Sequence, residues 1–223
     1  MAKVGKLAAV VAVRKGSQRV RNKNIRPFGD TNLLELKLRL LKRVKQIDEI
    51  IVNSDCDDML TIGEQYGASL HKREEYYASS ECSNSEFHGH IAENTDADYL
   101  LLAPVCAPFV SVRSHEESIE KFLSSDCDSL ISVTEVKNHL WMNGEPINYD
   151  RSEVPNSQDL PDVVKLNYGI ALIETDVMRA KRQVVGDSPM FYKLNELESI
   201  DVDTEFDFEV AELLYKNRSQ NVR

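Results

Sequence analysis

The sequence predicts an α/β fold in which a mainly parallel sheet is flanked by helices. Two observations lead to this prediction. Short apolar runs rich in valine, leucine and isoleucine recur along the 223 residues, and their lengths suit buried strands. Segments rich in helix-forming residues separate these runs, and such alternation is typical of parallel sheets. With 42% hydrophobic and 29% charged residues, the composition is that of a globular protein, and we expect one domain over residues 1–223.

The elements follow one another in a regular order. The first apolar run, Leu-Ala-Ala-Val-Val-Ala-Val, predicts a strand that is buried on both faces. In chain order, the predicted strands cover residues 7–13, 50–52, 99–102, 130–133, 169–173 and 199–203. The predicted helices cover residues 32–44, 56–66, 85–94, 112–123, 176–182 and 204–215. Because ligands bind beyond the carboxyl ends of strands in such folds, we expect the site there.

Side chains at the predicted boundaries support several of these helices. Asp30 or Thr31 is expected to cap the first helix, and Asp55 the second. Gly67 is well placed to end the second helix.

Residues 137–166 interrupt the alternation. This segment contains the single tryptophan, three of the seven prolines and many polar residues. It is expected to be an excursion from the core.

Charge and cysteine usage restrict the possible partners. The 37 acidic and 27 basic residues give a formal net charge of −10, so neither nucleic acid nor an anionic membrane is an expected partner. No apolar run is long enough to span a bilayer, and we expect no signal peptide. The four cysteines lie far apart, which favours reduced thiols and a cytoplasmic location.

The loop after the first strand concentrates positive charge. Six lysines and arginines fall within residues 14–26, which indicates a local anionic ligand. Backbone N–H groups of a glycine-containing turn can hold phosphate oxygens, and the cations neutralise them. The loop matches neither the Walker A nor the Gly-x-Gly-x-x-Gly pattern. A solvated basic loop is the alternative explanation.

Near the other end of the chain lies the segment Ile-Asp-Val-Asp-Thr, residues 200–204. In a strand, Asp201 and Asp203 would project to the same side and could hold Mg²⁺ with nucleotide phosphates. The alternative is a surface acid beside a helix cap. Thr204 and Asp207 have the spacing of a capping box, with aspartate in place of the usual glutamate or glutamine.

Two further loops contain candidate ligand-binding groups. Pro104 and Pro108 stiffen the loop after the strand at 99–102, and Lys165 and Asn167 precede the strand at 169–173. Taken alone, each loop is explained at least as well by an ordinary turn. Cys106 is expected to be a small buried residue rather than a nucleophile. The histidines show no zinc-ligand spacing, and no Gly-x-Ser-x-Gly motif is present.

The order of these motifs carries more information than any one of them. Arg-x-Gly-Ser-x5-Lys-Asn is followed by Ser-Asp, Pro-x3-Pro-Phe, Asn-x-Gly and Ile-Asp-Val-Asp-Thr. Over nearly the whole chain, this order resembles the CMP-N-acylneuraminate (CMP-sialic acid) synthetase family of cytidylyltransferases. The resemblance implies a Rossmann-like nucleotidyltransferase fold and a homodimer formed through a protruding element, here 137–166. The implied reaction joins CTP to an acidic sugar with Mg²⁺ and releases pyrophosphate.

The resemblance also implies roles for individual residues. Those expected at the nucleotide are Arg14, Gly16, Ser17, Lys23, Asn24, Arg73, Cys82 and Asn84. Those expected at the acceptor are Pro104, Lys165 and Asn167. Asp201 and Asp203 would ligate Mg²⁺, and the expected catalytic residues are Arg14, Lys23 and Asp203.

Two alternatives stay open to the transfer of CMP to an N-acylneuraminate or related nonulosonate. Pro104 stands at or beside the position where the family places a glutamine at the sugar, and Lys165 replaces a family arginine. A second arginine that the family would place near Asn156 or Ser157 is missing. The acceptor could therefore be a phosphonate or another keto-deoxy sugar acid. A non-catalytic nucleotide-binding regulator is the alternative from another functional class. Tight CTP binding without turnover would distinguish the regulator.

Overall fold

The computed structural model describes residues 3–17 and 19–220 and contains a seven-stranded sheet. Its strands are β1 (Leu7–Val13), β2 (Glu49–Ser54), β3 (Ser69–Lys72), β4 (Tyr99–Leu102), β5 (Ser129–Val136), β8 (Val163–Glu174) and β9 (Pro189–Lys193). They lie in the order β3-β2-β1-β4-β8-β5-β9. β8 is antiparallel to β4 and β5, and the other adjacent pairs are parallel. The predicted mainly parallel sheet is therefore confirmed.

Helices connect these strands and flank the sheet. They are α1 (Leu33–Leu41), α2 (Asp57–Gln65), α3 (Glu75–Ala78), α4 (Asn84–Glu93), α5 (Val112–Ser124), α6 (Thr175–Lys181) and α7 (Glu205–Gln220). Among the described residues, no helix is both long and apolar enough to cross a membrane.

The first strand lies at the centre of the packing. Ala9, Val11 and Val13 enter the larger hydrophobic core, whereas Ala8 and Val10 enter a second core on the other face of the sheet. Because successive side chains of a strand point to opposite faces, a strand between two cores needs an unbroken apolar run. The continuous apolar sequence of β1 satisfies this need.

The structure contains two strands that the sequence does not predict, and it lacks one strand that the sequence does predict. β3 and β9 were not predicted, because they are the two edge strands and most of their residues are exposed or half-buried. Residues 199–203, predicted as a strand, form no strand and lead instead into α7. The backbone N–H of Val202 there donates to the carbonyl of Cys106.

Helix boundaries also correct some predictions. Asn32, rather than Asp30 or Thr31, caps α1 by accepting from the Glu35 backbone N–H. The side chain of Asp55 does not cap α2; it accepts from the backbone N–H of Lys15.

Two predicted helix signals are confirmed. Gly67 adopts φ +71° just after α2. Thr204 and Asp207 form the expected reciprocal pair at the start of α7: the Asp207 N–H donates to the threonine hydroxyl, and its carboxylate accepts from the Thr204 backbone and hydroxyl.

The predicted excursion contains a small hairpin of β6 (Trp141–Met142) and β7 (Glu145–Pro146). Its turn is Asn143-Gly144, and both residues have positive φ, which suits a two-residue hairpin. A 3-10 helix follows at Ser157–Asp159. Because β8 begins at Val163, the excursion ends before residue 166, where the sequence placed its boundary.

Candidate active site

A cleft with three connected lobes opens where β1 ends. Ala12 lines all three lobes. Each pair of lobes also shares further lining residues. Arg14 lines one pair, Asn84 and Phe87 line a second pair, and Pro104 lines the remaining pair. The carboxyl end of a parallel strand is the expected position for a ligand in this fold.

The basic lobe is a cavity of about 340 Å³ between the loop after β1 and the start of α7. Its polar and charged lining residues are Arg14, Ser17, Arg19, Lys23, Asn24, Cys106 and Asp203. The Lys23 ammonium donates to the carbonyl of Val202 at 2.6 Å and lies 3.6 Å from the Asp203 carboxylate. Arg19 contacts the same carboxylate at 3.0 Å. Three cationic side chains therefore line one small cavity, with one carboxylate facing them.

Local interactions shape the loop that forms this lobe. Gly16 has φ +81°, a conformation that glycine adopts without steric cost. The buried side-chain amide of Asn24 donates to the carbonyl of Arg14 at 3.1 Å, closing the loop on itself. The Asn24 carbonyl accepts from the backbone of Leu34, so the loop is also joined to α1.

The arginine lobe has a volume of about 490 Å³ and lies on the other side of Arg14. Its polar and aromatic lining residues are Arg14, Arg73, Tyr77, Ser79, Ser80, Cys82, Asn84 and Phe87. The Arg73 guanidinium is only 4% exposed and donates to the carbonyl of Val13 at 2.7 Å. Burial lowers the pKa of Arg73, and Asp55 at 4.0 Å opposes that shift.

Two contacts orient the arginines of this lobe. The Arg73 guanidinium lies 5.0 Å from the centre of the Phe87 ring, which gives it a cation–π partner. Arg14 donates to the carbonyls of Ala78 and Ser79 at 2.6 and 3.1 Å. Both guanidinium groups are therefore fixed by the protein before any ligand binds.

The apolar lobe is a cavity of about 520 Å³ beside Pro104. Aliphatic and aromatic side chains form most of its wall, and Asn84, Ser85, His88, Tyr168 and Gln183 supply its polar groups. Among the described residues no aspartate, glutamate, lysine or arginine lines it. Burial lowers the pKa of His88, which keeps that ring neutral near pH 7.

Comparison with known proteins identifies the family. The model of a family described as cytidylyltransferase matches residues 8–183. This range contains every residue that lines the three lobes except Val184, Val185 and Asp203. The chain belongs to the cytidylyltransferase family.

Relatives of this cytidylyltransferase match most of its length at low identity. The CMP-N,N'-diacetyllegionaminic acid synthase of Campylobacter jejuni is 22% identical over 228 residues, covering 95% of each chain. The N-acylneuraminate cytidylyltransferase of Oncorhynchus mykiss is 23% identical over 92% of this chain, which spans 49% of that protein. The fold is similar to that of a CMP:2-keto-3-deoxy-manno-octonic acid synthetase solved with CTP, at a TM-score of 0.71 and 14% identity, covering 96% of this chain and 99% of the other.

The two aspartates of the Ile-Asp-Val-Asp segment lie in different surroundings. Asp203 lines the basic lobe, whereas Asp201 is exposed and lies beside the Cys106 thiol. Because the segment is not a strand, their predicted common orientation has no structural basis. The described residues contain no group of three or more histidine, cysteine or carboxylate side chains suited to a metal. One carboxylate facing a basic cavity nevertheless fits Mg²⁺, which is commonly held by one or two carboxylates with substrate phosphates.

Most of the predicted site residues meet in this cleft, and four do not line it. Gly16 shapes the loop without lining a lobe, and Asp201 lies beside the basic lobe. Lys165 is exposed on β8 opposite Thr134. The Asn167 amide is occupied by Ser132, Thr134 and the Gly169 backbone, so it is not available to a substrate.

Several residues of the cleft were not predicted. Arg19 belongs to the basic window and could have been chosen from its position there. None of the other four belongs to a local motif. Tyr77 lies in α3, Phe87 in α4, Tyr168 in β8 and Gln183 shortly after α6, and only the packing of these elements near β1 brings them to the cleft.

Cys106 is half-buried and lines the basic lobe, rather than being buried as expected, and its surroundings suppress its reactivity. Burial, followed by the nearby Asp201 carboxylate, raises the pKa of Cys106 to about 12. The thiol is therefore protonated at neutral pH, which agrees with the expectation that it is not a nucleophile.

Proposed function

We propose that the protein transfers CMP from CTP to an acidic sugar, an N-acylneuraminate or a related nonulosonate, and releases pyrophosphate. The observation that carries this proposal is the three-lobed cleft. A basic lobe, an arginine lobe and an apolar lobe adjoin at Ala12, as a triphosphate, a nucleoside and an acceptor would need to adjoin. Membership of the cytidylyltransferase family supports the choice of chemistry.

The basic lobe suits the triphosphate. Arg14, Arg19 and Lys23 supply positive charge, and Ser17 and Asn24 complete the polar wall. Charge-assisted hydrogen bonds to phosphate oxygens are short and strong, and a cavity open to three cations can make several of them. Gly16 contributes the backbone turn that the loop requires.

The arginine lobe suits the cytidine. Arg73, Cys82 and Asn84 line it, and Arg14 joins it to the basic lobe. A carbonyl oxygen of the base can accept hydrogen bonds from a guanidinium or an amide, and the aromatic rings of Tyr77 and Phe87 offer faces to a planar base.

In the proposed reaction, a hydroxyl oxygen of the acceptor attacks the α-phosphorus of CTP. The bond from that phosphorus to the bridging oxygen of the β-phosphate breaks, pyrophosphate leaves, and the proton of the attacking hydroxyl passes to solvent water. Lys23, fixed by the Val202 carbonyl, and Arg14, fixed by the Ala78 carbonyl, face the phosphates in both ground and transition states. Such preorganised charge stabilises the negative charge that develops on the leaving group.

Asp203 is the residue that would hold Mg²⁺, with Asp201 nearby in the chain. The ion would neutralise phosphate charge when CTP binds. Without substrate, Arg19 and Lys23 both contact Asp203. Once the carboxylate has another partner, Arg19 would turn towards the phosphates, while Lys23 stays held by the Val202 carbonyl.

The acceptor is expected to bind with its acidic end towards the basic lobe. No aspartate, glutamate, lysine or arginine of the described residues lines the apolar lobe, so the acceptor's carboxylate finds cations only on the side of Arg14. Pro104 lies at the boundary of these two lobes. The names of the legionaminic acid and neuraminate relatives support an acid of this class.

We also propose that the protein is a homodimer formed through residues 137–162. Trp141, Met142, Ile147 and Val154 are each at least half exposed there, which is a concentration of apolar surface on one segment. The cytoplasmic location expected from the unpaired cysteines stays a prediction.

The central experiment measures pyrophosphate release with Mg²⁺ and each nucleoside triphosphate. The acceptors are N-acetylneuraminate, N,N'-diacetyllegionaminate and 2-keto-3-deoxy-manno-octonate. Release with CTP only, and only when an acid is present, is the expected result. Stabilisation by CTP without turnover on any acid would instead support a regulatory nucleotide-binding protein.

A further inference from the structure

β8 does not pair continuously with β5. The register joins Ala171 to Ile131 and Leu166 to Val133, so residues 167–170 lie opposite the single residue Ser132. Extra residues in one strand form a bulge, which bends the strand and redirects its side chains. This bulge lies beside the apolar lobe, because Tyr168 and Ala171 both line that cavity.

Tyr168, inside the bulge, has an unusual backbone conformation. Its φ is +54°, in the left-handed region that bulky side chains rarely adopt. Its side chain is 44% exposed and faces the apolar lobe, and its hydroxyl makes no hydrogen bond with any residue that the structure describes. Such backbone strain persists only where the surrounding structure enforces it, and it is concentrated at functional sites.

A polar cluster beneath Tyr168 enforces the strain. The Asn167 amide donates to the Thr134 hydroxyl at 2.8 Å and accepts from the Ser132 hydroxyl and from the Gly169 backbone at 3.2 Å. Ser132 is fully buried and also accepts from the backbone of Ile170 at 2.9 Å. The cluster therefore holds the residues on both sides of Tyr168.

We propose that Tyr168 contacts the acceptor and determines which acid is accepted, and that Asn167 and Ser132 are positioning residues that present it. The inference rests on the proposed function. A tyrosine ring packs against the apolar part of an acceptor, and its free hydroxyl hydrogen-bonds a polar substituent. Tyr168 lines neither the basic nor the arginine lobe, so its contribution is confined to the acceptor.

The test compares Tyr168→Gly, Tyr168→Phe and the wild type. Pyrophosphate release is measured first as a function of the concentration of each acid named above, at saturating CTP. It is then measured as a function of the CTP concentration, at a saturating concentration of the acid. Tyr168→Gly is expected to raise the acceptor KM by about tenfold or more and to change the preference among the acids, with the CTP KM unchanged. Its thermal unfolding midpoint should stay equal or rise, because glycine adopts positive φ freely.

A lost acceptor contact without lost stability separates a binding role from a structural one. Tyr168→Phe retains the ring and should retain most of the affinity for acids that use only the apolar contact. Phe191→Ala is the matched control, since Phe191 is 51% exposed on β9 and lines no lobe. It should leave both KM values unchanged.

The positioning role is tested by a double-mutant comparison. Asn167→Ala should raise the acceptor KM in the wild type and have little further effect in Tyr168→Gly, because both changes act through one side chain. Additive effects of the two changes would overturn the positioning role. An unchanged acceptor KM and preference in Tyr168→Gly would overturn the proposal as a whole while leaving the proposed function intact. A wild type that releases no pyrophosphate with any acid would overturn the proposed function, and this proposal with it.

Discussion

The ammonium of Lys23 and the carboxylate of Asp203 face each other at 3.6 Å across the basic lobe, although they come from opposite ends of the sequence. Lys23 also donates to the carbonyl of Val202, the residue before Asp203. The loop after β1 and the start of α7 are thereby held together. This relationship places the expected phosphate-binding cation and the expected metal-binding carboxylate at one point in the cleft.

Replacing Lys23 tests the charge of the basic lobe. Lys23→Ala should lower kcat for pyrophosphate release by about 100- to 1,000-fold, because one preorganised cation is removed from the developing charge. The control is Lys15→Ala, since Lys15 is exposed in the same loop and lines no lobe. The assignment of Lys23 is wrong if both variants retain the activity of the wild type.

Replacing Asp203 tests the proposed metal-binding carboxylate. Asp203→Asn should lower the rate by about two orders of magnitude and raise the Mg²⁺ concentration needed for half-maximal rate, because an amide binds the ion more weakly than a carboxylate. Asp201→Asn should have the smaller effect, because Asp201 does not line the basic lobe. Equal losses in the two variants, or a normal Mg²⁺ dependence in Asp203→Asn, would contradict this ranking.

The buried Lys37 predicts a pH dependence of stability. Its ammonium is 1% exposed and donates to the carbonyl of Ala107 at 2.9 Å, and burial lowers its pKa to about 8 from 10.5. Between these values the unfolded chain binds more protons at Lys37 than the folded chain does. The contribution of Lys37 to the free energy of unfolding should therefore rise with pH in this range.

Lys37→Met removes this dependence. At pH 7 the variant should be more stable by about 2 kcal/mol, since the lowered pKa costs about 3 kcal/mol and the lost hydrogen bond about 1 kcal/mol. The difference should shrink towards pH 10, as measured by urea unfolding at both pH values. Of the neighbouring groups, His115, with a pKa of about 3, does not titrate in this range. The pKa of Cys106 is raised from 9.0 to about 12 in the folded protein, so above about pH 9 this thiol lowers the free energy of unfolding as pH rises; it does so in the wild type and in Lys37→Met, and their difference reports Lys37. Lys45→Met, at an exposed position, is the control, and parallel pH curves for wild type and Lys37→Met would refute the prediction.

The exposed hairpin predicts the oligomeric state. Trp141→Ser together with Met142→Ser should convert a dimer to a monomer in sedimentation experiments, because these side chains are 50% and 61% exposed on β6. Phe206→Ser, at 72% exposure on α7, should leave the dimer intact. A wild-type monomer at micromolar concentration would refute the proposed interface.

Much of the fold follows from local sequence. The apolar run of β1, the stop at Gly67 and the capping pair at Thr204 are each specified by residues close together in the chain. The sequence does not predict edge strands such as β3, because a strand at the edge of a sheet buries few side chains and its hydrophobic pattern is therefore weak. The alternation of apolar and acidic residues at 199–203 predicts a strand, but the same alternation also suits an irregular loop with one buried valine, which is what the structure contains.

The sequence by itself determined the alternating architecture, the basic loop and the motif order that resembles a cytidylyltransferase. Only the tertiary structure decided which side chains share the cleft. The side chain of Asn167 hydrogen-bonds Ser132 and Thr134 and is directed away from the cleft. The side chain of Tyr168 faces the apolar lobe because of a bulge in β8, which no local sequence pattern predicts. The physical reason is that a side chain's direction in a bulge depends on hydrogen bonds to a neighbouring strand, and that strand lies more than thirty residues away in the sequence.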